Sequence, residues 1–492
     1  MKRTLATAFL AFLAACGGGG GGGDAGAPAP ETPPVAEETH EQTPPPTVVL
    51  PPTGPKRGDV LSKITFQDLP LDFKLTAVAC DTSDTLIVGG FSVGLNRHLL
   101  YRLRRSDGKR DLSFAGGTGM LPDSLKRNSA WGAIELPTGE LRDIRHDAQN
   151  DRIYILLEQS NHTELVALSG AGTVVSAFAD QGRFVHYTHT QEELLSNGMS
   201  RDWQVTLKPF RLAVASDGSL RIAGIGTAWA SGADFKYYLA AMALTSSGVK
   251  KWNSWSQEYW KVPGATYALG TKNASHSVED LAVDPMGRTA AVGRLRDSDN
   301  SYVALLEANG SPTQTLPQDL SAAPTLRSQA TLSQRQASNG CWGFGIEPVG
   351  ETSNALATGV AFDSSGILYV TAQRTKMRSA TPFVAVLRYA PSTMETKALV
   401  MTESDWIDAA QPSIVLTNQD TVYVGFAESA AGRAGTRTVI QALRPSSLDA
   451  DSVFDRRVMK DEASNPFLRR RPGGNLLVLH QTPTPTAIEL LP

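Results

Sequence analysis

A short unit rich in β-forming residues recurs about seven times along the chain, and no other feature limits its fold so tightly. The clearest copy runs Leu75-Thr76-Ala77-Val78-Ala79, a turn, Leu86-Ile87-Val88-Gly89-Gly90, a loop, then Leu99-Leu100-Tyr101-Arg102-Leu103, and closes on Ser106-Asp107-Gly108. That order reads as strand, turn, strand, loop, strand, turn. Later copies carry their second strands at Ile153–Leu157, Leu220–Gly224, Thr289–Gly293, Ile367–Thr371, Thr421–Gly425 and Leu476–Leu479. A unit this short cannot bury its own faces, so recurrence implies an array in which neighbours cover one another. The runs are rich in Val, Ile, Leu and Tyr and bounded by Gly, Asp, Asn and Ser, which favours strands. Several are apolar throughout, as strands covered on both faces are. Helical spacing fits poorly; Thr190–Leu195 is its best and short exception.

Long antiparallel arrays must protect their sheet edges, and radial closure leaves only short ones. The expected fold is therefore all-β: a β-propeller of seven blades, each of four antiparallel strands. A linear β-solenoid and a pair of β-sandwiches are the alternatives. The last copy offers three strands before Pro492, and Lys63-Ile64-Thr65-Phe66 precedes the first copy without a blade of its own. Together they would complete one blade and lock the ring.

The first residues read differently. Lys2 and Arg3 precede a short apolar run, Leu5–Leu13, which ends in Leu13-Ala14-Ala15-Cys16. The run is too short for a permanent membrane span. The segment resembles a bacterial lipoprotein signal with its lipobox. The resemblance implies removal of residues 1–15, acylation of Cys16 and attachment to a membrane through that residue. Gly17, in place of an Asp, implies the outer membrane, facing the periplasm or the surface. Seven glycines, Gly17–Gly23, open a Pro-rich and acidic stretch to residue 58. This composition cannot bury a core and reads as a disordered tether. The expected organisation is a signal at 1–15, a linker at 16–58 and a propeller at 59–492.

The net charge of −3 has its signs mixed along the chain, and its main basic run, Arg469-Arg470-Arg471, reads as strand and loop surface, so nucleic acid is not an expected partner. Besides Cys16 the chain has Cys80 and Cys341, which the array places towards opposite rims of non-adjacent repeats, against a disulfide. The stretch Leu75–Gly117, with Ser106-Asp107-Gly108 and Asp111-Leu112-Ser113-Phe114, resembles the delta-60 repeat of bacterial β-propellers. Ala213-Val214-Ala215-Ser216-Asp217-Gly218 matches the first turn of that repeat, and the other copies are degenerate. The resemblance implies an exported propeller and transfers no catalytic residue.

Asp81, Asp147, Asp284 and Asp363 recur between first and second strands, where Ser216 and Thr417 replace them in other copies. Short polar side chains of this kind bond turn amides, and the replacements suit turn chemistry better than a calcium ring. Asp297-Ser298-Asp299-Asn300-Ser301 lacks the Gly and distal Glu of a calcium loop. His186 and His189 read as members of an extended loop. The sequence contains no G-x-S-x-G elbow, Walker loop or C-x-x-C-H haem motif. No cofactor or metal is expected, and the balance is against an enzyme. Lys250–Trp260 concentrates Trp252, Trp255, Tyr259 and Trp260, interleaved with polar residues. Such a stretch suits stacking on sugars or anchoring a protein partner, or else an outer strand packed between blades. Trp342, within Asn339–Gly345 in a long insertion, is the other candidate. The chain thus reads as a lipid-anchored binding or scaffold propeller of the cell envelope. A lactonase-like hydrolase with a metal in the central channel, and a polysaccharide-binding or adhesion component, are the alternatives.

Overall fold

A computed structural model describes residues 55–492 apart from loop segments, the longest being 254–267 and 312–329. Pro55–Pro492 forms one compact unit. Its regular secondary structure is almost entirely β-strand, arranged as small antiparallel sheets in chain order. The first blade runs outward from the inner strand Phe73–Cys80 through Thr85–Ser92 and Arg97–Arg104, with Ala133–Glu135 and Lys126–Asn128 added beyond. The second begins at Glu140–Asp147 and the third at Ser200–Val214. The three-stranded sheet Ser277–Val283, Thr289–Leu295 and Asn300–Leu306 follows. The fourth and fifth blades begin at Leu356–Phe362 and Trp406–Leu416, and the sixth at Phe467–Arg470. Successive inner strands touch, and Phe467–Arg470 touches Phe73–Cys80, so the ring closes. The fold is a β-propeller.

The expectation of seven four-stranded blades is corrected: six sheets have four strands or more. The sheet that starts at Ser277 has three among the described residues, because the long insertion after Leu306 interrupts the run that would supply its outer strand. The hairpin Ala330–Gln336 with Trp342–Pro348 lies beside Asn300–Leu306 as a separate two-stranded sheet. The stretch with the best helical spacing is also a strand, His189–Leu194, paired with Ser200–Val214. His186 pairs with Thr163 in the second blade and His189 with Val205 in the third, so the expected loop is two strands in different sheets.

Closure uses both ends of the compact unit. Val60–Thr65 pairs antiparallel with Thr486–Leu490 and becomes the outer strand of the sixth blade. Ile64 and Phe66 are buried there. Contacts begin earlier: Gly58 N donates to Leu491 O at 2.7 Å, and Arg57 pairs with Asp451 at 2.8 Å and reaches Tyr423 Oη at 3.1 Å.

Six inner strands carry a register shift at the same level, after Leu75, Leu141, Pro209, Val278, Ala357 and Ala410. A bulge adds a residue and re-aims the side chains that follow it. It also draws the inner backbone onto its neighbour. A Cβ on Gly90 would sit 2.2 Å from Lys74 O, and one on Gly224 2.1 Å from Lys208 O. The glycine that ends these second-strand motifs is therefore a packing requirement of the bulge.

The motif Asp111-Leu112-Ser113-Phe114 makes a corner after the third strand of the first blade. Asp111 accepts from Ser113 N at 3.0 Å, Phe114 is fully buried, and the Arg102 guanidinium lies 5.2 Å from its ring centroid. The same corner recurs at Asp451–Phe454, which the sequence reading passed over: Val453 N donates to Asp451 at 3.0 Å and Phe454 is buried. Arg57, entering from the other end of the unit, supplies the cation that pairs with that Asp.

Candidate functional site

The bulges aim charged side chains at the joints between inner strands, and these residues form the inner wall of the ring. Asp143 and Arg145 follow the bulge of the second blade, Arg211 that of the third, and Asp280 that of the three-stranded sheet. Asp143 is buried; its Oδ1 accepts from Ile144 N at 2.9 Å and its Oδ2 from Leu212 N at 2.9 Å. Arg145 lies 3.0 Å from the same carboxylate and donates through Nε to Leu212 O at 2.6 Å. Both bonds to Leu212 cross from the second blade to the third. The arrangement repeats around the ring. Asp280 Oδ2 accepts from Val360 N at 3.0 Å, and Arg211 Nε donates to Glu279 O at 2.6 Å. Arg469 Nε donates to Val78 O at 3.3 Å.

These charges sense one another. Arg469 keeps some solvent contact yet is enclosed by the ring, and burial pulls its pKa down to about 10. Arg145 pushes in the same direction, while Asp143, Asp280 and Cys80 oppose it. At neutral pH the guanidinium stays charged. Chemically the wall is a set of ionic ties. Its two carboxylates are engaged by backbone amides, and its arginines by carbonyls of the next inner strand.

The recurrent turn aspartates bond their own turns. Asp147 accepts from Gln149 N at 3.1 Å, Asp284 from Arg288 N at 2.7 Å, and Asp363 from Ser365 N at 3.0 Å and Ile367 N at 2.8 Å. Asp81 accepts from Thr85 Oγ1 at 2.7 Å.

Of the aromatic candidates, Trp252 and Trp342 lie on described strands. Trp252 lies on Lys250–Asn253, the outer strand of the third blade, and is half-buried. Its Nε1 donates to Ala308 O at 2.8 Å, and the Arg221 guanidinium stacks 5.5 Å from its ring. Arg221 is buried, and burial lowers its pKa. Gly310, at φ +86°, leaves the space that the indole fills; a Cβ there would come within 2.4 Å of it. Trp252 thus joins the third blade to the turn after Asn300–Leu306. Trp342 lies on the hairpin strand Trp342–Pro348. Trp255, Tyr259 and Trp260, together with Cys16, Cys341 and Asp297–Asp299, lie outside the described residues. The wall residues Asp143, Arg145, Arg211 and Asp280 were missed in the sequence, where they look like ordinary strand polar positions, and Arg469, read there as strand and loop surface, belongs to the inner wall instead. No local pattern marks them: the inner strand that runs to Asp147 carries Arg142, Asp143, Arg145 and His146 side by side.

No protein-family model matches the chain, and no curated protein matches it. Among solved structures, the chain is similar to the Dos1 propeller at 10% identity and a TM-score of 0.41, over 85% of this chain and 92% of that one. It is similar to the polysaccharide lyase Uly1 at 10% identity and a TM-score of 0.43, over 88% and 99%. A protein from Lactobacillus plantarum is similar at 12% identity and a TM-score of 0.38, over 77% and 83%. At these identities and scores the likeness adds nothing to the propeller architecture that the sheets themselves establish.

Proposed function

We propose that this protein is a lipid-anchored β-propeller that serves as a binding or scaffold module at the cell envelope, held by Cys16 on a flexible tether. The observation that carries the binding reading over a channel hydrolase is the use of the inner-wall charges. Asp143 and Asp280 accept amides of the neighbouring inner strand, so they serve the frame rather than converge on a reaction centre. A rigid ring of this kind presents variable loops at its rims, which is where recognition resides. The anchor rests on the basic start, the apolar run and Leu13-Ala14-Ala15-Cys16. The tether rests on Gly17–Gly23 and the proline-rich stretch after it. The partner is a cell-surface polysaccharide or a protein, engaged by the aromatic stretch beyond Asn253.

Two tests address the two halves of this reading. A Cys16→Ser variant is expected to leave the membrane fraction and to lack an acylated N-terminal peptide by mass spectrometry. Retention in detergent-soluble membranes without an acyl mass in the parent defeats the anchor. A Trp255→Ala/Trp260→Ala variant is expected to melt like the parent and to lose about tenfold or more in affinity on a glycan array or in a pull-down. Trp252→Ala is expected to behave oppositely. Removal of a half-buried indole with its bond to Ala308 costs about 2 kcal/mol and lowers Tm without a selective loss of binding. Equal binding by the double variant and the parent removes the aromatic stretch as the site.

A further inference from the structure

At the rim where the first and second blades meet, three side chains converge that the reading above leaves unused. Asp81 directly follows the inner strand of the first blade, His146 lies on the inner strand of the second, and Asp151 stands in the turn that follows it. His146 Nε2 lies 3.3 Å from Asp81 Oδ1 and 3.4 Å from Asp151 Oδ1. The three ligand atoms all fall within 4.8 Å of one another. The imidazole and the Asp81 carboxylate are buried, at 4% and 2% side-chain exposure, whereas Asp151 is 61% exposed.

Hydrogen bonding accounts for one of these contacts, His146 Nε2 to Asp151 Oδ1, and leaves Asp81 Oδ1 unengaged. A ring nitrogen carries one proton at most, so Nε2 makes a full-strength bond to only one of the two carboxylates. Both separations also exceed the usual N–H···O length of about 2.9–3.0 Å. Asp81 uses Oδ2 for Thr85, and its Oδ1, buried and facing His146, has no hydrogen-bond partner. An unsatisfied buried carboxylate oxygen is costly. A tetrahedral ion with metal–nitrogen and metal–oxygen bonds of about 2.0–2.1 Å separates its ligands by about 3.3 Å. That separation matches both contacts made by the His146 nitrogen. The local backbone supports the third ligand: Asp151 adopts φ 48°, and Gly170 donates its N–H to Asp151 O at 3.0 Å. A Cβ on Gly170 would lie 2.3 Å from Asp151 Oδ1, so the absence of a side chain there makes room for the carboxylate.

We infer that Asp81, His146 and Asp151 form a binding site for a divalent transition-metal ion of the zinc class, bridging the first and second blades at the rim. One imidazole and two carboxylates suit zinc, whereas calcium and magnesium call for larger sets of oxygen ligands. Three protein ligands leave a fourth position, on the solvent side where Asp151 is exposed, for water or a ligand group.

The probe is Zn²⁺ itself, added to untagged, chelator-treated protein and followed by calorimetry and thermal melts. The parent is expected to bind one equivalent and to gain a few degrees in Tm at saturation. Asp151→Asn keeps the turn, because Asn tolerates the left-handed region, and is expected to melt like the metal-free parent while binding zinc at least tenfold more weakly. Asp151→Gly, equally at ease at that φ, serves as a second variant should the first melt low. Failure of the parent to bind an equivalent of zinc overturns the site, as does undiminished binding by the folded variant. The first result would leave a histidine bridging two aspartates.

Discussion

Deleting Arg57–Phe66 is expected to lower the stability of the ring by about 5 kcal/mol or more, the largest effect of any small change considered for this chain. The deletion removes the ladder between Val60–Thr65 and Thr486–Leu490, the buried side chains Ile64 and Phe66, and the Arg57–Asp451 pair. Phe66 alone, nearly fully buried, contributes about 3 kcal/mol by the cost of truncating a core phenylalanine. The deletion also leaves the Thr486–Leu490 strand as an open sheet edge, which invites pairing with another molecule. It strips Ser62 from the buried Glu489, leaving that carboxylate with Arg105 and Asn475. For a unit of this size about 1 kcal/mol moves Tm by about 1 °C, so a fall of about 5 °C is expected, with aggregation seen by size exclusion. Phe66→Ala should give about half of that fall while keeping the ladder. A deletion variant that melts like its parent and stays monomeric means that the ring is held elsewhere.

The closing strand could be read in advance because the sequence leaves two incomplete pieces at opposite ends, Lys63–Phe66 and the last repeat. The second and third strands of each blade were legible for a related reason. Runs such as Ile153–Leu157 and Leu239–Leu244 are covered on both faces and so carry unbroken apolar sequence. The number of complete blades was not legible. Whether an outer strand forms after Leu306 depends on pairing across a long insertion, and the Trp342–Pro348 run pairs with Ala330–Gln336 instead. The corner at Asp451–Phe454 was hidden because only its first and last residues are kept; what fixes it is burial of Phe454 and the distant Arg57.

The candidate sites divide along the same line. The turn aspartates were readable because a short side chain and the amides it bonds lie within a few residues. Asp81 bonds Thr85 four residues on, but its contact with His146 crosses to the next blade, and no local pattern marks it. The bulges that aim Asp143, Arg211 and Asp280 add one residue to a strand, which reverses the inward–outward phase in mid-strand and breaks the alternation by which an inward charge would be read. The partner of Asp143 is Leu212, in the following blade, so its role exists only once the ring is assembled.

That role makes Asp143→Ala the second large effect expected. The substitution leaves the Leu212 N–H without its acceptor at a joint between inner strands, and it leaves Arg145 without its counter-charge. A buried donor left unpaired costs about 1–3 kcal/mol, and an ion pair broken at one end in a largely buried setting costs about as much again. Arg145 retains partial solvent contact and its bond to Leu212 O, which lowers the second cost. A loss of about 3 kcal/mol is expected, read as a fall of about 3 °C in Tm. Asp143→Asn keeps an acceptor for one amide but gives up the charge, and should fall between the two. Asp280→Ala breaks the equivalent bond to Val360 two joints further round, shares no hydrogen-bond partner with Asp143, and should add to it within about 0.5 kcal/mol. The measurement is a set of thermal and urea melts of the two single variants and the double. Additive losses fit ties that act joint by joint. Unchanged melts would mean that the apolar faces between blades hold the ring without them, and would return both carboxylates to consideration as channel ligands.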